Sequence, residues 1–323
     1  MRQSYSLSQQ FFAISSTIPD SRVVLAGGLD PISGPRSGFQ ASVACYDYAA
    51  GSVVWLVDNV ESHPFRAITH ANGVCAAIRP YNFDKSPMGM FRFDLESGEP
   101  IQPDSEVSGW KIQYVDAYGD TFFFSWVCDE TAYIRAVGGR DGAVKERSFP
   151  YLATSEGKTI ERVIATGEET FVAVFSLVDG NRVVNSIEDW SFTSAAPTWE
   201  KRTRLNHVVR NGSELLCWDC TGRKLAVEIL SVETGDPRIS FRRPLADVVS
   251  VVPIDANSYA ILSISGVYVM DASSKTHSQV PGMGPSDFLD FGALAVDAAL
   301  GKLIVATAGN FQRPGTRLIV LEL

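Results

Sequence analysis

Seven apolar residues, each set just behind a tight-turn signal, recur along this chain at nearly constant intervals. They are Val23, Val74, Phe122, Phe171, Leu215, Tyr259 and Leu303, spaced 51, 48, 49, 44, 44 and 44 residues apart. From Leu303 through the C-terminus and round to Val23 is a further 43, so the chain closes on its own period. A repeat of about 40–50 residues is the period of four-stranded propeller blades. Seven units without remainder imply an all-β, seven-bladed β-propeller of four-stranded antiparallel blades, and a single domain over residues 1–323.

The turns ahead of the anchors are Asp20-Ser21, Asn72-Gly73, Gly119-Asp120, Gly167-Glu168, Asn211-Gly212, Asn257-Ser258 and Leu300-Gly301. Gly, Asn and Asp there tolerate the positive φ that two-residue hairpins require. Each anchor opens an apolar run without clean alternation, such as Phe122-Phe123-Phe124 or Leu303-Ile304-Val305-Ala306. Such runs suit strands covered on both faces, as in a blade held between two neighbours.

A further strand follows in each unit: Val43 to Tyr48, Tyr133 to Val137, Leu225 to Leu230, Val267 to Met270 and Leu318 to Leu321. Blade four is the least regular, with Arg182 to Ile187 in this role and a longer path to Trp199. Several of these strands leave through an acid and a glycine: Asp47 to Gly51 with Trp55 beyond, and Asp94 to Gly98. Asp271 to Lys275 keeps the acid and lacks the glycine. Here the chain resembles the PQQ-like (quinoprotein-type) propeller repeat, whose blades end in an apolar-Asp-x-x-Thr/Ser-Gly-x-x-x-Trp pattern. The resemblance implies four-stranded antiparallel blades and carries no activity, because many members of that superfamily only bind other proteins. Quinoprotein dehydrogenases typically use a larger, eight-bladed ring with calcium-binding acids and often adjacent cysteines. Seven units and no vicinal cysteine pair argue against a quinone, so no cofactor is expected.

The last unit reaches Leu323 directly after its third strand. Its fourth strand must come from elsewhere, and residues near Ser4 to Gln9 are the unassigned candidate. They are expected to pair with Arg317 to Leu321 and close the ring.

Formal charge is −9, from 28 Lys+Arg against 37 Asp+Glu, which argues against nucleic acid or an anionic membrane as the main partner. No apolar run approaches the roughly 18–20 residues of a membrane span. The first ten residues show no signal-peptide pattern, so a cytoplasmic monomer is expected. The five cysteines (45, 75, 128, 217 and 220) are odd in number and mostly sit in apolar runs, as buried free thiols do.

Catalytic signals are sparse. Cys217-Trp218-Asp219-Cys220 is a CxxC without a second ligand pair, and both sulfurs could meet one metal only if a turn began at Asp219. No metal site is expected. The four histidines (63, 70, 207 and 277) lack HxxxH or HExxH spacing, although a propeller could gather His70, His207 and Asp255 at its axis. No nucleophile elbow, Walker loop or dinucleotide fingerprint occurs.

Loop length is the more informative feature. The loops between second and third strands all open on one face of a propeller. Most are short here, but Gly27 to Gln40, Arg79 to Gly89 and Ala308 to Thr316 are long and belong to blades one, two and seven. They carry Arg36, Phe39, Arg79, Tyr81, Phe83, Lys85, Phe311 and Arg313. Arginine among exposed aromatics is the usual composition of a binding hot spot; the alternative is tolerated surface insertion. The reading is a non-catalytic module that binds a protein or peptide of acidic or aromatic character. The rival is a hydrolase or lyase working at the mouth of the central channel.

Overall fold

The computed structural model describes residues 2–7, 11–28, 40–60, 65–79, 88–107, 111–129, 131–150, 159–179, 182–221, 223–288, 291–308 and 315–323. Strand β1 is Arg2–Leu7. Blade one follows as β2 (Phe11–Ile14), β3 (Arg22–Gly27), β4 (Gln40–Asp47) and β5 (Ser52–Val60). Blade two is β6 (Ala67–Ala71), β7 (Val74–Arg79), β8 (Met88–Asp94) and β9 (Pro100–Val107). Blade three is β10 (Lys111–Tyr118), β11 (Thr121–Cys128), β12 (Thr131–Gly138) and β13 (Val144–Pro150). Blade four is β14 (Thr159–Ala165), β15 (Thr170–Asp179), β16 (Arg182–Ser191) and β17 (Trp199–Thr203). Blade five is β18 (His207–Asn211), β19 (Glu214–Thr221), β20 (Lys224–Ser231) and β21 (Pro237–Arg243). Blade six is β22 (Val248–Pro253), β23 (Ser258–Ser263), β24 (Gly266–Asp271) and β25 (Thr276–Val280). Blade seven has β26 (Phe291–Asp297), β27 (Lys302–Ala308) and β28 (Thr316–Glu322). The fold is a seven-bladed β-propeller.

Within six blades the strands pair in chain order. In the seventh the order is β1-β28-β27-β26, so the N-terminal strand supplies the outer position. Arg2 pairs with Leu321 and Leu7 with Thr316, antiparallel, so β1 closes the seventh blade as expected but starts two residues before Ser4, and residues 8 and 9 lie outside the described residues. All seven anchors open or lie near the start of second strands and are fully buried. The irregular blade four is built from two ten-residue strands, β15 and β16, paired without a shift from Thr170–Ser191 to Asp179–Arg182.

The acid-to-glycine exits have a local cause. The Asp94 carboxylate accepts the Glu96 and Ser97 backbone N–H groups, and those bonds, Ser97 first, hold it below the usual carboxylate range. Asp47 caps Ala49 and Ala50 in the same way, and Asp271 caps Ser273 and Ser274. The chain then reverses through a left-handed residue: Gly51 at φ 70°, Gly98 at 75°, but Lys275 at 57°. A side chain in that region costs roughly 1–2 kcal/mol. Lys275→Gly is therefore expected to raise stability by about 0.5–1 kcal/mol, the gain being reduced by glycine's greater freedom when unfolded. Denaturant unfolding of the two proteins would measure it.

Packing divides the chain into two compact units: Met1–Ile68, Cys220–Leu225 and Phe241–Leu323 form one, and Thr69–Asp219 with Ala226–Ser240 the other. In the first, Val23, Leu25, Ala44, Ile304, Ala306 and Leu318 share a core with half-buried Tyr5 and Leu7 of β1. A 3-10 turn, Pro285–Asp287, presents Asp287 to both Arg2 and Arg317. In the second unit Phe123, Phe171, Phe175, Phe149 and Trp190 fill the space between blades three and four. Phe149 meets Phe175 and Trp190 edge-on, the preferred geometry for such rings.

Candidate functional site

The three long loops join fixed ends. Between second and third strands, blades one, two and seven have 12, 8 and 7 residues, whereas blades three to six have 2 each. Arg36, Phe39, Tyr81, Phe83, Lys85, Phe311 and Arg313 lie outside the described residues. Arg79 does not, and it corrects the expectation of an exposed loop side chain. It is the last residue of β7, 2% exposed, with its guanidinium carbon 4.2 Å from the centre of the Phe91 ring. The sequence hid this because the apolar run stops one residue earlier, at Ile78. Arg79 buries its stem and covers an aromatic face while standing at the root of the loop.

A second arrangement escaped the sequence reading. The first strand of each blade is a sheet edge, so its outer carbonyls and N–H groups have no ladder partner. In the second unit, which holds most of blades two to five, side chains from neighbouring blades satisfy some of them. Arg162 on β14 donates to the Val208 carbonyl of β18, and Arg210 on β18 donates to the Ala165 carbonyl of β14. Asp116 on β10 accepts the Ala165 N–H at 3.0 Å. Burial pushes the Asp116 carboxyl up, against its hydrogen bonds from Ala117 and Ala165 and against the pull of Arg162 and Arg210. Two tyrosines two turns of the pleat apart complete the ladder: Tyr114 under Arg162 at 4.3 Å and Tyr118 under Arg210 at 4.8 Å.

At one end of this ladder a cleft of about 230 Å³ opens, lined by Tyr114, Glu161, Arg162, Ser176, Asn185, Asn206 and His207. Two β-bulges shape it. Pairing of β10 with β11 shifts between Ile112 and Val115, and that of β14 with β15 between Ile160 and Arg162. An extra residue in a strand re-aims its neighbours, which brings the adjacent acid and base, Glu161 and Arg162, to one hollow. Asn185 donates to the Leu205 carbonyl and to Asn206, and Asn206 donates to Asp219. His207 stacks on Trp218 with ring centres 4.1 Å apart. Burial first, then Arg162, depresses the His207 pKa, with Asp219 opposing, so the imidazole is neutral near pH 7. Arg162 is bonded to the Val208 carbonyl, rests on Tyr114 and feels the charge of Asp116. The cleft can thus offer a guanidinium, a neutral imidazole and a phenol to a small polar group. Periodicity could not reveal it, because bulges leave no mark in apolar patterning.

No protein-family model and no curated protein sequence matches the chain. Its structure is similar to the crystal structure of BamB from Moraxella catarrhalis, with a TM-score of 0.58 and 13% identity over 99% of this chain and 98% of that one. The likeness is one of fold.

The other sequence candidates belong to several different strands. Cys217 and Cys220 share β19, which runs on through Thr221, so no turn at Asp219 brings the sulfurs together. Cys217 is buried in the core of its unit and its thiol pKa is pushed up by that burial, while the Cys220 thiol points to the Leu245 carbonyl. His70 lies in β6, His277 meets the Tyr268 ring edge-on, and His63 is outside the described residues. Asp255 caps the β22–β23 turn through the Asn257 and Ser258 N–H groups. Among the described residues no three His, Cys, Asp or Glu side chains gather as metal ligands. Among the described residues no helix is long and apolar enough to cross a membrane.

Proposed function

We propose that this chain is a non-catalytic, protein- or peptide-binding propeller of the PQQ-like repeat class, engaging its partner through the long loops of blades seven, one and two. The observation that carries this reading is the asymmetry of the loops: 12, 8 and 7 residues in three blades against 2 in each of the other four. A hairpin needs only two residues, so the extra length is not required by the fold. Blades seven, one and two are consecutive in the order of a closed ring, and so their loops would form one face. Arg36, Lys85 and Arg313 on that face, with Phe39, Tyr81, Phe83 and Phe311, suit an acidic or aromatic segment. Arg79, buried against Phe91 at the end of β7, precedes the blade-two loop and is not one of its exposed contacts.

The test is to replace each long loop by the two-residue connection of blade three, Asp129-Glu130. The partner is first identified by crosslinking in the native source, and binding is then measured with purified components. The melting temperature is expected to move by no more than a few degrees, because loop length changes closure entropy only slowly, while affinity falls at least tenfold. Undiminished affinity with all three loops shortened would remove the reading.

The cleft around Arg162 and His207 supports a second reading, a lyase or hydrolase acting on a small carboxylate. Arg162 would hold the substrate's carboxylate and neutral His207 would take the proton. An activity survived by both Arg162→Gln and His207→Gln would discard that reading.

A further inference from the structure

Each blade ends in an outer strand whose far edge has no ladder partner within its sheet, and such edges invite pairing with another chain unless charges or proline blunt them. Six of the seven outer strands are guarded or polar. Strand β9 carries Pro103 and Asp104, β13 Lys145, β17 Lys201, β21 Arg242 and β1 Arg2, while β25 reads Thr-His-Ser-Gln-Val. The remaining one, β5, reads Ser-Val-Val-Trp-Leu-Val before its first charge at Asp58. Val53 and Val54 are each 46% exposed and Leu56 40%, the one place among the described residues where three large apolar side chains stand exposed together. The bulge at Val54 is confined to the start of the strand; Trp55 pairs with Cys45 and the register is regular from there to Val60 opposite Gln40.

We propose that β5 is a docking edge which takes an extended segment of a partner protein as a fifth strand of blade one. The segment has alternating apolar residues and a lysine or arginine beside Asp58. Main-chain hydrogen bonds along the free edge supply affinity, and Val54 and Leu56, two apart and so on one face, select apolar side chains. The sign of the required charge follows from Asp58, which is exposed and has no cationic partner among the described residues. A second copy of this chain is the poorer fit, because its β5 offers an acid and no cation and each copy carries a charge of −9. The inference is independent of the long-loop face, since β5 lies at the outer edge of its blade and contributes to none of those loops.

The probe is a fluorescein-labelled peptide of alternating Val and Thr flanked by lysines, followed by anisotropy, with hydrogen exchange of the β5 amides read in parallel. Two controls replace the lysines by glutamates, or alternate residues by proline. Binding of the lysine peptide is expected, with slowed exchange in β5, at least tenfold weaker for the glutamate peptide and lost for the proline peptide. Val54→Lys/Leu56→Lys should weaken it at least tenfold, and Asp58→Lys should invert the preference between lysine and glutamate peptides. Circular dichroism and the melting temperature of each variant confirm that it is folded, as exposed positions allow. Absence of binding, binding indifferent to these substitutions, or protection of β5 by self-association without peptide capture would each overturn the proposal.

Discussion

Deleting residues 1–9 is expected to lower the melting temperature by about 10 °C, the largest effect of any change away from the core. The strand lost, Arg2–Leu7, makes six residue pairs with β28. Net values near 1 kcal/mol per ladder bond, with the half-buried Tyr5 and Leu7 packed on the blade-one and blade-seven core, add up to roughly 5 kcal/mol. A chain of this size moves about 2 °C per kcal/mol. Tyr5 also reaches the Tyr48 carbonyl and covers Gly51, where even a Cβ would run into its ring. Calorimetry of the truncated protein checks the figure, and an unchanged midpoint would show that the strand contributes nothing.

The same closure carries a pH signature. Arg2 grips Asp287 with both guanidinium nitrogens, at 3.1 and 2.5 Å, and Arg317 and the Gly284 N–H add to it. The bond from Arg2 is the main reason that the Asp287 pKa lies below the usual value. A depressed carboxyl pKa stabilises the fold above the unfolded-state value, near 4, and loses that contribution as pH falls through the folded-state value. Asp287→Asn is expected to melt lower than the wild type by a constant margin from pH 7 to 5. Below about pH 4 the margin should narrow. A margin that persists undiminished to pH 2 would assign the loss to packing rather than to charge.

Arg92→Ala is the point substitution with the largest expected cost, roughly 3–5 kcal/mol. Arg92 is wholly buried in β8, and one guanidinium nitrogen bonds the carbonyls of Gly138 at 2.5 Å and Gly139 at 2.9 Å at the end of β12. Alanine leaves both acceptors without this donor and opens a space the size of the side chain. Depriving the buried Gly139 carbonyl costs about 1–3 kcal/mol, and the part-buried Gly138 carbonyl adds less. Arg92→Lys keeps the charge and a nitrogen able to donate to two acceptors, but its flexible stem and lack of a planar guanidinium fill the site less well, so it should recover part of the loss and not all. Equilibrium unfolding of the three proteins would rank them, and equal stability of the alanine and wild-type proteins would contradict this reading of the tie.

Arginines of this kind mark the limit of what the sequence discloses. Val23, Val74, Phe122 and the other anchors could be placed without coordinates, because second strands are covered on both faces and the apolar run that results is visible in one dimension. Closure by β1 was legible for a related reason: the last repeat lacked a strand and the first residues had none assigned. The turns were legible through Asp94-Gly98 and its kin, since carboxylate capping and positive φ each demand particular residue types. Arg79 and Arg92 were not, because an arginine closing or interrupting an apolar run reads as solvated until its acceptors or its aromatic neighbour are seen. The cleft around Arg162 and His207 was hidden for a different cause. Its members come from three blades and owe their aim to bulges, and neither spacing nor composition records which residue of a strand is doubled.

The pairing of Arg2 with Leu321 also constrains how the molecule is made. Its two partners stand more than three hundred positions apart, so a ribosome must finish the seventh repeat before β1 has anywhere to go. Until then that segment and the open flank of β28 are both left waiting, in the most non-local step of the whole assembly and hence the slowest kind.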